Sequence, residues 1–193
     1  MKNNLLLIKI VFIFFLFAAS AQATPMLSIV DDPGTAGSIP RGSSNQLVNP
    51  IYGSGLSRAG YYGSTIKLTE SARVTFTFLG FEAGFDNDFN LNGVELFSTE
   101  DYGSNLVTGI SDLAGPFLLP AGTILFSFDI NNDSGSVANG FNPDDSNALG
   151  DINFFTSFDN DPIAMLGTSL IVFPDDSRSA PADDHHHIAV TLK

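Results

Sequence analysis

The chain has 193 residues, and 21 Asp and Glu against 8 Lys and Arg give it a formal charge of −13. So acidic a chain excludes charge-driven attraction to nucleic acid or anionic lipid, and the absence of cysteine excludes disulfides and thiol catalysis. With 18 phenylalanines and no tryptophan, the sequence points to an aromatic core.

Residues 1–23 carry Lys2 and Lys9, an apolar run over 10–19, and Ala21-Gln22-Ala23 at the end. This is the layout of a secretory signal peptide cleaved after Ala23. The run is shorter than the roughly 20 residues a membrane helix needs. The mature chain, 24–193, is therefore expected to be one secreted, periplasmic or cell-surface domain with no transmembrane span. Cleavage removes two cations and no acid, so the remainder is more acidic still and repels itself unless cations neutralise it.

Residues 27–30 read as a short strand, stopped by the turn signal Asp31-Asp32-Pro33-Gly34. The Gly/Ser/Pro-rich stretch 35–45 reads as loop, 46–51 as strand and 54–63 as loop. The loops bring Tyr52, Tyr61 and Tyr62 among glycines, either packed on themselves or, with Tyr102, as a platform for stacking sugars. Residues 65–69 and 72–79 read as a hairpin, with Val74, Phe76 and Phe78 on one face and Thr75 and Thr77 on the other. Residues 80–88 break that period, and 89–97 restore it around the tight-turn dipeptide Asn92-Gly93.

Residues 105–110 and 115–120 are less regular, whereas 122–130 alternates strongly through Ile124, Phe126 and Phe128. An Asn/Asp-rich loop is expected over 131–150. Further strands are expected over 152–158, 163–166, 170–173 and 188–192. Many short strands between turn signals, with no long helical period, predict an all-β fold, an antiparallel β-sandwich of the jelly-roll kind.

Hard cations need several oxygens converging from loops. Six acidic stretches offer them, at 86–88, 129–133, 144–145, 159–161, 175–176 and 183–184. Asp129, Asn131 and Asp133 have the D-x-N-x-D start of a calcium loop, but Ser134 and Gly140 stand where that loop needs Gly and Glu. Ordinary Asx turns are the alternative. A second candidate is the only histidine cluster. His185 and His187 would share one face of a strand, with Asp175, Asp176, Asp183 and Asp184 nearby, a set able to hold calcium or, through imidazole, a transition metal. Such a centre would suit a metal-dependent hydrolase; exposed polar residues entering a strand are the plainer reading. No G-x-S-x-G elbow or phosphate-binding glycine loop is present.

Three segments in this order, FLGFEAGFDNDFNLNGVELFST (78–99), GTILFSFDI with VANGFN (122–142), and SLIVFPDD with ADDHHHIAVTL (169–192), resemble exported bacterial proteins of the PEP-CTERM, exosortase-sorted type. The resemblance covers most of the mature chain. It implies a secreted or surface-displayed β domain, mostly without assigned activity in that family. It carries Glu82, Asn87, Asn139, Asn142, Asp175, Asp176, Asp183, Asp184 and His185 onto motif positions, with Glu82, Asn87, Asn139 and Asn142 as the ligand-binding set. His186 and His187 replace an acidic pair of the closing motif, and no Pro-Glu-Pro sorting signal precedes Lys193. The expectation is a non-catalytic, calcium-stabilised domain of the extracellular matrix or cell surface, meeting polysaccharide or surface components. A carbohydrate-binding module and the His185/His187 hydrolase are the alternatives.

Overall fold

The computed structural model describes residues 24–30, 36–40, 47, 51–52, 57–82, 86–103, 106–130, 135–143, 152–175 and 188–193. The fold is all-β, as the alternation predicts, and its strands lie in two facing layers. The back layer is one seven-stranded antiparallel sheet. It contains β2 (Ala36–Pro40), β3 (Ser57–Tyr61), β5 (Ala72–Glu82), β8 (Leu106–Leu119), β12 (Asn153–Phe158), β14 (Leu170–Asp175) and β15 (Ala189–Leu192), in the order β2-β3-β12-β14-β15-β5-β8.

The front layer is two four-stranded sheets side by side. One contains β1 (Leu27–Val30), β4 (Thr65–Leu68), β9 (Gly122–Thr123) and β13 (Leu166–Gly167), ordered β13-β1-β4-β9. The other contains β6 (Asn87–Leu91), β7 (Val94–Ser98), β10 (Phe126–Ile130) and β11 (Gly135–Ala138), ordered β11-β10-β6-β7. A short 3-10 helix, η1 (Thr99–Tyr102), leads from β7 towards β8. No helix among the described residues is long and apolar enough to cross a membrane.

The main core fills the space between the layers. Phe76 and Phe154 of the back layer and Phe89, Phe126 and Phe128 of the front layer have at most 2% of their surface exposed. Their rings form a continuous chain, with centroid separations of 5.4 Å for Phe76–Phe89, 5.5 Å for Phe89–Phe126 and 5.4 Å for Phe126–Phe154. A smaller cluster covers the outer face of the back layer, where Leu47, Tyr62, Phe155, Ile171 and Phe173 pack with Ile51 and Tyr52.

The strongest sequence signals were right about strands and incomplete about pairing. Residues 65–68 and 72–82 are strands, yet β4 pairs with β1 and β9 while β5 pairs with β8 and β15. They are an interlayer corner instead of a hairpin. Ile66 and Leu68 face the core from one side, and Val74, Phe76 and Phe78 face it from the other. The β6–β7 hairpin is as predicted, with φ of 53° at Asn92 and 73° at Gly93, the left-handed pair a tight hairpin turn requires. The strong run over 122–130 divides at Ile124–Leu125 and supplies a strand to each front sheet.

The segments expected to be loops hide three strands, β2, β3 and β11. In β2 and β3 the glycines are sites of close approach. A Cβ on Gly37 would lie 2.3 Å from the Tyr62 ring, and one on Gly60 would lie 2.2 Å from the Thr156 carbonyl oxygen. Conversely, residue 51, the end of the strand expected over 46–51, is helical, as is residue 52. Ile51 there packs against the cluster that contains Leu47. Of the strand expected over 163–166, only Leu166 is extended, within β13.

Phe89→Ala should lower unfolding free energy by about 3–5 kcal/mol in urea denaturation, because its ring contacts Phe76, Phe97, Phe126 and Phe128. Phe141→Ala, at a position 86% exposed, should change it by less than about 0.5 kcal/mol.

Candidate functional site

The registers place Glu82, Asp88, Asp129 and Asp175 at one end of the sandwich. Glu82 of β5 pairs with Leu106 of β8, and Asn153 of β12 pairs with Asp175 of β14. Ala189 pairs with Gly80, so the start of β15 lies at this end too. In the front layer Asn87 pairs with Ile130, which pairs with Gly135, and Asp88 pairs with Ser98. Only residues 83–86 separate Glu82 from Asn87, so the front-layer ends lie beside the back-layer ones. Asp86, Asp88, Asp129 and Asp175 therefore stand at this end, joined by Glu100 and Asp101 of η1. The stretch 159–161 follows β12 at the opposite end.

Asp88 and Asp129 face one another across β6 and β10. Like charges directly opposite in an antiparallel pair are unfavourable. One device offsets part of this cost: the Asn90 amide donates to Asp129 Oδ2 at 2.9 Å. Glu95 lies in β7, and its carboxyl is pushed above the usual carboxylate range, first by desolvation and then by the negative charges of Asp88, Asp101 and Glu100. Among the described residues no three His, Asp or Glu side chains are grouped closely enough to hold a metal ion.

The other predicted site residues have separate placements. Glu82 ends β5 half-buried, and Asn87 opens β6 almost fully buried, its backbone N–H donating to Thr99 Oγ1 at 2.8 Å. Asp175 ends β14. Asn131, Asp133, Asp144, Asp145, Asp176, Asp183, Asp184, His185, His186 and His187 lie outside the described residues. In the 159–161 stretch, Asp159 accepts from the Ser169 hydroxyl and Asp161 Oδ1 accepts from the Ile163 N–H, the pattern of an Asx turn.

Asn139 and Asn142 act on the fold. Asn139 is 4% exposed, and its Oδ1 accepts from the Ile66 N–H at 2.8 Å. Its Nδ2 donates to the Ile66 and Ile124 carbonyls, both at 2.7 Å. Asn142 repeats the device on Phe154, accepting from its N–H and donating to its carbonyl, both at 2.8 Å. A carboxamide presents the same donor and acceptor as a peptide group, so each side chain pairs with one strand residue as a neighbouring strand would. Asn139 thereby fastens the β11 turn to β4 of the adjoining front sheet, and Asn142 fastens it to β12 of the back layer. Both amide hydrogens of Asn139 are spent on backbone carbonyls.

The four tyrosines do not share a platform. Tyr61 donates to the Ile163 carbonyl at 2.7 Å, and Tyr62 donates to the Ser38 carbonyl with its ring 4.9 Å from Phe155. Tyr102 stacks on Phe78 and donates to Asp112 Oδ2 at 2.6 Å. The Tyr52 ring lies 3.9 Å beneath the Arg58 guanidinium. Burial raises both the Tyr52 and the Tyr102 phenol pKa, and the Asp112 contact adds to the shift at Tyr102.

Arg58 was not singled out from sequence. Its guanidinium donates to Ser157 Oγ and to the carbonyls of Phe158 and Asp159, pinning β3 to the end of β12. A lone cation inside a Gly/Ser/Tyr stretch of an acidic chain was the available signal.

No family model matches this chain, and no curated protein or solved structure is significantly similar to it.

Two outcomes follow. Asn139→Asp keeps the shape but removes both donors, so it should cost at least about 3 kcal/mol in chemical denaturation, whereas Asn160→Asp in an exposed bend should cost less than about 0.5 kcal/mol. Because the Glu95 pKa is raised in the folded state, its ionisation at neutral pH opposes folding, and stability recovers as pH falls towards the ordinary carboxylate range. Glu95→Gln should therefore raise the melting midpoint at pH 7, with the gain vanishing in acid and shrinking in molar salt.

Proposed function

We propose that this protein is an exported, non-catalytic β-sandwich whose acidic end takes up calcium, and that it serves in the extracellular matrix or at the cell surface. The observation that carries this reading is the gathering of described carboxylates, with Asp88 facing Asp129 across two strands at the end that also holds Glu82, Asp175, Glu100 and Asp101. Like charges held opposite one another in a chain of formal charge −13 cost stability unless a cation lies between or beside them. Extracellular media supply calcium at the concentrations that weak oxygen sites need. The signal-peptide layout and the likeness to PEP-CTERM-type sequences support export. Polysaccharide or other surface components are the partners in this reading.

Thermal unfolding of the full exported chain in calcium and in chelator tests it. At calcium a hundredfold above its dissociation constant the gain is about 2.7 kcal/mol, or roughly 5–10 °C for a domain this size. Asp88→Asn should raise the midpoint in chelator and shrink the calcium increment. Identical midpoints with and without calcium would remove the metal from the proposal.

A further inference from the structure

Four of the chain's lysines and arginines are described, Arg58, Lys67, Arg73 and Lys193, and two of them line one cleft. The cleft has a volume of about 260 Å³ and opens at the end of the sandwich opposite the acidic one. Its position follows from the strands. Leu27 of β1 pairs with Leu68 of β4 in the front layer, and Val74 of β5 stands across from them in the back layer. Lys193 extends β15, its N–H and carbonyl exchanging bonds with Thr75 at 3.0 and 2.7 Å. The layers part here, so three core side chains, Leu27, Leu68 and Val74, form an apolar floor. Arg73, Lys193 and Thr168 stand around it.

This pairing of an apolar floor with two cations is unexpected in so acidic a chain. Arg58 shows what a structural arginine does here, spending its donors on Ser157, Phe158 and Asp159. Arg73 is exposed and makes no hydrogen bond or ion pair among the described residues. Glu70, in the turn between β4 and β5, is not among the residues lining the cleft. A guanidinium and an ammonium at the rim of a cleft floored by core leucines recognise a carboxylate joined to a small apolar body: the fork of Arg73 suits the two oxygens, and the body takes the place of water in the cleft. The volume is below the roughly 300–1,000 Å³ of sites for drug-sized ligands, which limits the body to a short alkyl chain or a single ring.

We propose that this cleft binds a small amphiphilic carboxylate, its charge between Arg73 and Lys193 and its apolar part against Leu27, Leu68 and Val74. The test is a methyl-detected NMR titration of the full chain with hexanoate, hexan-1-ol and acetate. Saturable shifts centred on Leu27, Leu68 and Val74 are expected with hexanoate, and binding at least about tenfold weaker with each of the other two, since each lacks one half of the recognition. In the doubly substituted Arg73→Gln, Lys193→Gln chain, hexanoate affinity should fall about tenfold to the level of hexan-1-ol. Both positions are exposed, and an unchanged melting midpoint shows that the variant is folded. Equal affinity for hexanoate and hexan-1-ol, shifts centred elsewhere, or no saturable shift would each overturn the proposal.

Discussion

Stability here rests on phenylalanine rings meeting across the gap between two sheets. There is no cysteine to cross-link the layers. Burial of aromatic surface, at about 25 cal/mol per Å² of apolar area, is the dominant favourable term for such a fold. The ring chain Phe76–Phe89–Phe126–Phe154 begins and ends in the back layer and crosses the front layer between. Each offset or tilted contact adds a little beyond area. Its consequence is that β5, β6, β10 and β12 are fixed to one another before any loop is considered.

The front layer needs a second device, because it is two sheets and not one. Where β9 gives way to β10, the Ile66 carbonyl accepts from the Ile124 N–H at 3.2 Å and the Ile124 carbonyl accepts from the Phe126 N–H at 3.1 Å, but the Ile66 N–H faces a break in the ladder, and a buried peptide group without a partner is costly. Asn139 supplies that partner with its side chain and gives the Ile66 and Ile124 carbonyls a second donor each. Asn142 does the same for Phe154 three residues later. The motif that spaces these asparagines holds the layers together in this structure. Phe141, between them, is left in solvent.

Charge is distributed along the long axis defined by the strands. Asp88, Asp129 and Asp175 stand at the end marked by Glu82 and Asn87, and Arg58, Arg73 and Lys193 stand at the other, together with Asp159 and Asp161. The connections between Glu82 and Asn87 and between Ser98 and Leu106 are short and keep their acids at the end where they begin. The opposition of Asp88 and Asp129 is a product of this arrangement, since their strands were brought together by Phe89 and Phe128, the neighbours on the other face.

The class of fold could be read from residue order alone, because period-two alternation in segments such as 72–82 and 126–130 is imposed by the strand's own geometry. So could the β6–β7 turn, because Asn92-Gly93 meets a local backbone requirement. Which strand paired with which was settled by packing between distant segments. Whether β4 and β5 form a hairpin or a corner depends on which layer completes the core, and both choices bury the same residues. That packing made strands of β2 and β3 because Gly37 and Gly60 fit where another backbone or ring approaches, a contact no propensity records. It turned Asn139 and Asn142 into braces because a carboxamide's meaning depends on which peptide groups lie within 3 Å. Local physics is written in neighbouring residues; pairing and contact are settled only when distant ones meet.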